Sequence, residues 1–456
     1  MTNVVNQFQG GIWQDDNFVS VWQSIYSHGI DITRNPWELK LMPPIEVQSG
    51  YTETPTTTSI FSPETGTIWF GTSDWKVKAF TSGATIQDTG FTLDVMDWIL
   101  FLGKFYIFTG RYVFKTTYTS GSLSSLSTWY DPWVNEWYHH PVIYQGGEMY
   151  FPSGKNVKYT DSTGVIQTLF TTDFSSNVRA VSVQWNTLRI YTENLISIVD
   201  IGSKTVSYSQ VLPFVTNGVK SDGNVDYVTT DADELYICSG LEWRKIAEYT
   251  NSDTLNNYLN IPKFTFKSSV QSTCISVANG RVYTLDRITD RLLMYGKKME
   301  WLPNSFSYWP IHDNQSIWPT IYPITNFSAI FAQGIIIYIG YTANSLNRLG
   351  SINTTTNTTT ACFEWVYIIP PMDFGDYSML KSIDEIRIGK EWTTAQLWAS
   401  IDDWAYEFVD TLNQTELYHK VMNYKKDFRK ISFMIKMYST VDKIMNIDLR
   451  FKTPQI

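Results

Sequence analysis

The strongest constraint on how this chain can fold is a short antiparallel meander that recurs along most of its length. Its clearest copy is Cys274 to Lys297, CISVANGRVYTLDRITDRLLMYGK, which divides into strand, Asn279-Gly280 turn, strand, Thr289-Asp290 turn and strand. Asn-Gly between alternating apolar runs is a strong hairpin signal, because a two-residue type I′ turn needs positive φ at both central positions. Related units centre their second strand on Trp69, Tyr106, Tyr150, Ile190, Tyr236, Tyr283 and Tyr338, roughly 37 to 55 residues apart. A unit of this size with a few short strands cannot bury both of its faces alone. Stacking such units face to face around an axis does so, which predicts a β-propeller of about seven blades.

The flanking segments differ from the repeat. Residues 1–50 carry Gly10-Gly11, Pro36 and Pro43-Pro44 without a sustained period, so they are expected to form an extended arm with short strands. Trp13, Phe18, Trp22, Tyr26 and Trp37 are too many aromatics for a solvated tail, and their burial must be found on the body of the chain or on a neighbouring subunit. Residues 51–352 hold the repeat. The run Ser351 to Thr360, SINTTTNTTT, reads as a linker, and residues 353–456 return to period-2 patterning suited to a small β-sandwich or jelly-roll. The expected class is therefore all-β: arm, propeller of about seven blades, and C-terminal β-sandwich-like domain.

Composition narrows the function. Aromatics make up 16% of residues and charged residues 17%, and the balance of 35 basic against 44 acidic groups gives −9. No basic surface is available for general phosphate-backbone binding, so nucleic acid is not expected as a direct partner. No apolar run approaches the length of a membrane span, and the start lacks the basic and apolar regions of a signal peptide, which predicts synthesis in a cytoplasm. Cys238, Cys274 and Cys362 are far apart and odd in number, indicating neither a disulfide framework nor a CxxC metal site.

Candidate chemistry is sparse. The adjacent pair His139-His140 could ligate one ion only from a loop, since neighbouring strand residues point to opposite faces. Asp222, Asp226, Asp231, Asp233 and Glu234 form an acidic group without the spacing of a twelve-residue calcium loop. Ser62 to Trp69, SPETGTIW, looks like a degenerate Asp-box, with Glu64 in place of the Asp and Ile68 in place of the Thr. Glycoside hydrolysis needs two carboxylates set a defined distance apart, and no such pair is evident. We therefore expect no catalytic, metal or cofactor residues and a chain that is not an enzyme.

Two spacers, STWYDPWVNEWYHHP at 127–141 and MEWLPNSFSYWPIHDNQSIWPTIYP at 299–323, are rich in Trp, Tyr and Pro. They are expected either to pack over blade edges or to present Trp129, Trp133, Trp137, Trp301, Trp309 and Trp318 to a partner, since rigid aromatics give contact area at low entropic cost. The leader GGI…DDNFVSVWQSIYSHGIDITRNPWELKL, the repeated meanders and the ending DFRKISFMIKMYSTVDKIMNIDLRFK resemble structural proteins encoded among the virion genes of tailed bacteriophages. That resemblance implies a component of the tail or portal vertex, carried in the virion in several copies. It implies contacts with other virion proteins and with copies of itself, and a role in assembly and in adsorption to a host glycan or protein. The alternative is a sialidase-like or lectin-like propeller that binds or cleaves glycans.

Overall fold

The structure is a computed structural model that describes residues 2–5, 26–28, 45–48, 55–64, 66–81, 86–119, 122–131, 141–172, 176–231, 234–247, 275–286, 291–296, 305–308, 324–354, 365–369, 372, 380–391, 395–402, 405–412, 418–422, 426–437 and 443–452. Among them every regular element is a β-strand, and the body is a β-propeller built from antiparallel sheets of consecutive strands. The first sheet runs Thr57–Glu64, Thr67–Thr72, Lys76–Thr81, Gln87–Thr92. Equivalent sheets begin at Val95–Phe101, Val142–Tyr144, Ala180–Gln184, Thr216–Ser221, Ile275–Ala278 and Ile324–Gln333, and are called the second to seventh below.

Turn chemistry explains the local connections. Asn279 and Gly280 have φ of 53° and 66°, the type I′ signature expected of them, and Leu102-Gly103 and Asn344-Ser345 close other hairpins with both φ values positive. The Thr289-Asp290 turn lies outside the described residues. One unit is displaced from the sequence expectation: Tyr236 sits in the third strand of the fifth sheet, Leu235–Ser239, and the second strand is Asp226–Thr230. The first strand, Thr216–Ser221, contains Asn217-Gly218, which has the look of a turn. Here the pair lies within the strand, where the register shifts between Thr216 and Gly218.

Sheets stack through mixed apolar clusters. Trp69 and Val77 of the first meet Trp98 and Phe105 of the second, while Tyr106 and Phe108 meet Met149 and Phe151 of the third. Val157 packs on Leu188 and Ile190, and Tyr191 on Val219 and Val228. Tyr283 and Met294 of the sixth sheet join Ile337 and Tyr341 of the seventh. The seventh sheet then packs on the first, with Ala329, Tyr338 and Leu349 against Ile60, Ile68 and Phe70. A Cβ at Gly340 would come 2.7 Å from Thr57 Cβ, so glycine is required where these two sheets touch. Lys220 on the first strand of the fifth sheet lies 3.8 Å from Asp97 on the first strand of the second, so these inner strands face each other across the axis.

The SPETGTIW segment is a structural turn. Ser62 Oγ approaches the Glu64 and Thr67 carbonyls at 2.9 and 2.8 Å and Gln333 Oε1 at 2.7 Å, and Tyr118 donates to Glu64 Oε1 at 2.5 Å. It therefore ties the first sheet to the seventh and the second.

The described parts of the leader are woven into the rest of the chain. Glu46–Val47 adds a strand to the seventh sheet by pairing with Ser351 and Gly350, and Ile45 is fully buried in the core between the sixth and seventh sheets. Tyr26–His28 lies between Ser305–Tyr308 of the sixth sheet and Trp365–Ile368, joining both into a nine-stranded sheet that continues through Ile431–Met437, Ala395–Ile401 and Glu407–Leu412. Thr2–Val5 pairs with Lys443–Lys452 at the edge of a second sheet that includes Lys381–Glu391 and Tyr418–Met422. Ile386, Ile388, Leu397, Phe433, Ile435 and Ile447 fill the space between these two sheets, which makes the C-terminal part a sandwich. Ser351 to Asn353, expected to begin the linker, end the strand Leu346–Asn353.

Candidate functional site

Of the aromatics expected to bind a partner, Trp13, Phe18, Trp22, Trp37, Trp133, Trp137, Trp301, Trp309 and Trp318 lie outside the described residues, as do His139 and His140. Tyr26 is placed by its backbone, paired with Ile368. Trp129 is half-buried, with its ring centroid 4.7 Å from Tyr106 and 5.6 Å from Phe151. It fills the seam between the second and third sheets.

The acidic group is dispersed. Asp222 caps its own turn, accepting from the Asn224 and Val225 amides at 2.9 Å each, and Glu234 pairs with Lys245 at 3.3 Å. Asp231 is exposed, and Asp233 lies outside the described residues. No three His, Cys, Asp or Glu side chains gather around a common point among the described residues.

Asp226 is the exception in burial. Its strand packs on the fourth sheet, whose alternate residues Ser182, Gln184, Arg189 and Tyr191 turn the same way because strand side chains repeat every second position. Asp226 is 0% and Arg189 2% exposed. Oδ2 accepts from Ser182 Oγ at 2.8 Å and from the Tyr191 hydroxyl, and lies 3.5 Å from Arg189 Nη1. Arg189 also reaches Cys238 Sγ at 2.9 Å and donates to the Gly240 carbonyl, while Gln184 donates to the Cys238 carbonyl at 3.0 Å. Burial raises the Tyr191 phenol far above its ordinary range, and the Asp226 carboxylate adds to the effect. For Arg189, burial acts downward, but its interactions with Tyr191 and the Asp226 carboxylate outweigh this and hold the guanidinium above its ordinary value.

This network is a lock between two sheets, and its Asp226, Arg189, Tyr191 and Cys238 side chains are buried. Its thiol follows the same logic: burial pushes Cys238 up to about 11. Peptide-resolved alkylation at pH 8 should leave Cys238 unmodified in the folded chain and modify it fully after urea unfolding. Rapid labelling in the native state would contradict the burial described. Because the folded thiol titrates above the unfolded one, this group's contribution to stability is present below the unfolded pKa and is lost as pH rises towards 11.

A second arrangement is open to solvent. The turns joining first and second strands in the third, fourth and fifth sheets are linked side by side into a rim. Tyr144 donates to Asn186 Oδ1 at 2.7 Å, Trp185 Nε1 to Asn224 Oδ1 at 3.3 Å, and the Trp185 amide to the Gly223 carbonyl at 3.4 Å. Trp185 is 75% exposed and takes a φ of 51°. Between the third and fourth sheets, Lys204 Nζ contacts Glu148 at 2.7 Å and the Tyr150 hydroxyl at 2.5 Å, and lies 5.0 and 4.8 Å from the Tyr150 and Tyr159 ring centroids. Those rings are stacked at 5.8 Å. Burial raises the Tyr150 phenol above its ordinary value and the Glu148 hydrogen bond adds to this, so it stays protonated at neutral pH. Sequence reading takes Trp185-Asn186 only as a turn. The signal it passes over is a tryptophan where glycine, asparagine or aspartate is favoured.

No family model matches the chain, and no curated protein matches it. Similar solved structures include a catalytically inactive virginiamycin B lyase from Staphylococcus aureus crystallised with quinupristin, at 11% identity and TM-score 0.47, covering 68% of this chain and 98% of that one. A computationally designed protein, Ika8, is similar at 10% identity and TM-score 0.43, covering 68% of this chain and 100% of its own. PorZ, a surface component of the type-IX secretion system of Porphyromonas gingivalis, is similar at 9% identity and TM-score 0.43, with 74% of this chain and 44% of that one covered. At such identities and scores these structures transfer no activity, and the chemistry of this chain rests on its own residues.

Proposed function

We propose that this chain is a non-enzymatic structural protein of a tailed-bacteriophage particle, placed at the tail or portal vertex in several copies and taking part in assembly and host adsorption. The observation that supports this reading is the meeting of the chain's two ends. The leader and the C-terminal stretch carry the resemblance to virion proteins, and strands of both lie in the same sandwich: Tyr26–His28 shares a sheet with Ile431–Met437, and Thr2–Val5 pairs with Lys443–Lys452. A closed ring of stacked sheets joined to such a sandwich gives a stiff body whose open strand edges are short, as a load-transmitting particle component requires. In this reading the chain is made in the host cytoplasm and carried in the virion.

The test is mass spectrometry of gradient-purified particles from cells carrying the gene in its native setting. Detection at a fixed copy number per particle is expected. Recovery of the chain only from the soluble lysate, with particles lacking it, would overturn the proposal.

A further inference from the structure

We propose that the rim around Trp185 is a saccharide-binding platform that takes a pyranose with a continuous C–H face, such as galactose, glucose or N-acetylglucosamine. It uses none of the tryptophans of the aromatic spacers and stands whether or not the chain is carried in a particle.

Trp185 combines two unfavourable features. A non-glycine residue at positive φ costs free energy, and a large apolar ring left in water gains nothing from burial. Trp75, with φ 65° and 58% exposure, and Leu102, with φ 49° and 54% exposure, share both features, so these alone assign no role. What sets Trp185 apart is its flanks. An indole N–H can only donate, so Asn224 must present its carbonyl oxygen to Trp185 and turn its amide nitrogen away. Asn186 likewise uses its oxygen to accept from Tyr144. Two exposed amide donors thus stand beside an indole that is held at its N–H edge, and the Asp222 carboxylate lies two residues before Asn224 in the same turn.

That set matches a sugar. The C–H face of a pyranose stacks on an indole, its hydroxyls accept from amide nitrogens, and a carboxylate accepts from a hydroxyl. A nucleobase would also stack, but its phosphate would approach Asp222 on a chain of net charge −9. Trp75 instead sits beside Asp74 and Lys76, which lie 3.7 Å apart, and it is the internal control.

Saturation-transfer NMR on the isolated full chain tests this with lactose, cellotriose and chitotriose. Failure there is a separate result from absence in particles. Saturation of pyranose C–H protons by at least one sugar is expected, with at least a tenfold loss in Trp185→Ala, a severalfold loss in Asn224→Ala and none in Trp75→Ala. Trp185→Gly serves as the folding control: it relieves the positive φ, so its melting temperature should stay at or above the parent's while sugar binding is lost. Four outcomes would overturn the assignment. They are no transfer to any of the three sugars, undiminished transfer in Trp185→Ala, an equal loss in Trp75→Ala, and Trp185-dependent self-association or oligothymidylate binding without sugar binding.

Discussion

Replacing Asp226 with alanine is expected to destabilise the folded chain by about 3–5 kcal/mol, the usual cost of stripping one partner from a buried ion pair. The variant would leave the Arg189 guanidinium, 2% exposed, with the Gly240 carbonyl and the Cys238 sulfur as its acceptors among the described residues. The Ser182 and Tyr191 hydroxyls would lose their shared acceptor at the same time. Urea unfolding followed by circular dichroism reads the effect as a lower midpoint. A double variant, Arg189→Met with Asp226→Leu, removes both charges and should recover part of the loss, because apolar residues of similar volume often replace buried pairs at little cost while the Ser182 and Tyr191 hydroxyls still lack their acceptor. If Asp226→Ala leaves the midpoint unchanged, the fourth and fifth sheets are not locked through this carboxylate.

The second large effect is expected at Ile45. Its side chain is fully buried between the sixth and seventh sheets, and a Cβ on Gly350 would come 2.3 Å from Ile45 Cγ2. The seventh sheet is thus shaped by glycine to receive this residue. Ile45→Ala should cost about 2–5 kcal/mol, the range for truncating a large aliphatic side chain in a packed core. Glu46–Val47 is held to that sheet by a short ladder that Gln48 extends with bonds to the Leu349 carbonyl and Ser351 Oγ, so the loss of the buried anchor should also loosen the segment locally. Limited proteolysis would then cut near residues 45–57 well before the ring is digested. Simultaneous cleavage throughout the chain would show that the segment is not an independent unit of stability.

Both predictions concern features that no local pattern announces. The Asn279-Gly280 hairpin is legible: the alternating apolar runs around it specify their own pairing, because two residues of fixed φ close the loop. The C-terminal strands at Ile383-Ile388, Ala395-Ile401 and Ile431-Tyr438 were legible for the same reason, their period of two being set by the pleat. In the fifth unit Asn217-Gly218 offers the chemistry of a turn, but the strand Thr216–Ser221 takes it in as a register irregularity. Glu407–Leu412 and Tyr418–Met422 lack a clear alternation, and they become strands by pairing with Ala395–Ile401 and Lys381–Glu391.

The candidate rim shows where local reading stops. Trp185-Asn186 is a turn in the sequence and a turn in the structure. Only the neighbouring turns, which bring Tyr144 and Asn224 to it, make it a platform. The spacer tryptophan with a described side chain, Trp129, went the other way and fills a seam between sheets. An aromatic-rich stretch records that burial or contact is needed without recording which.

The recurring meander, by itself, determined that this chain builds small antiparallel sheets from its own neighbouring segments and must stack them. Those pairings close short loops, so turn dihedrals and side-chain period suffice to specify them. The tertiary structure alone decided that Tyr26–His28 bridges the sixth sheet to the sandwich, that Ile45 is received over Gly350, and that Asp226 finds Arg189. These contacts join residues on separate sheets or far apart in the chain, and they depend on which edges and cavities remain once the sheets have packed.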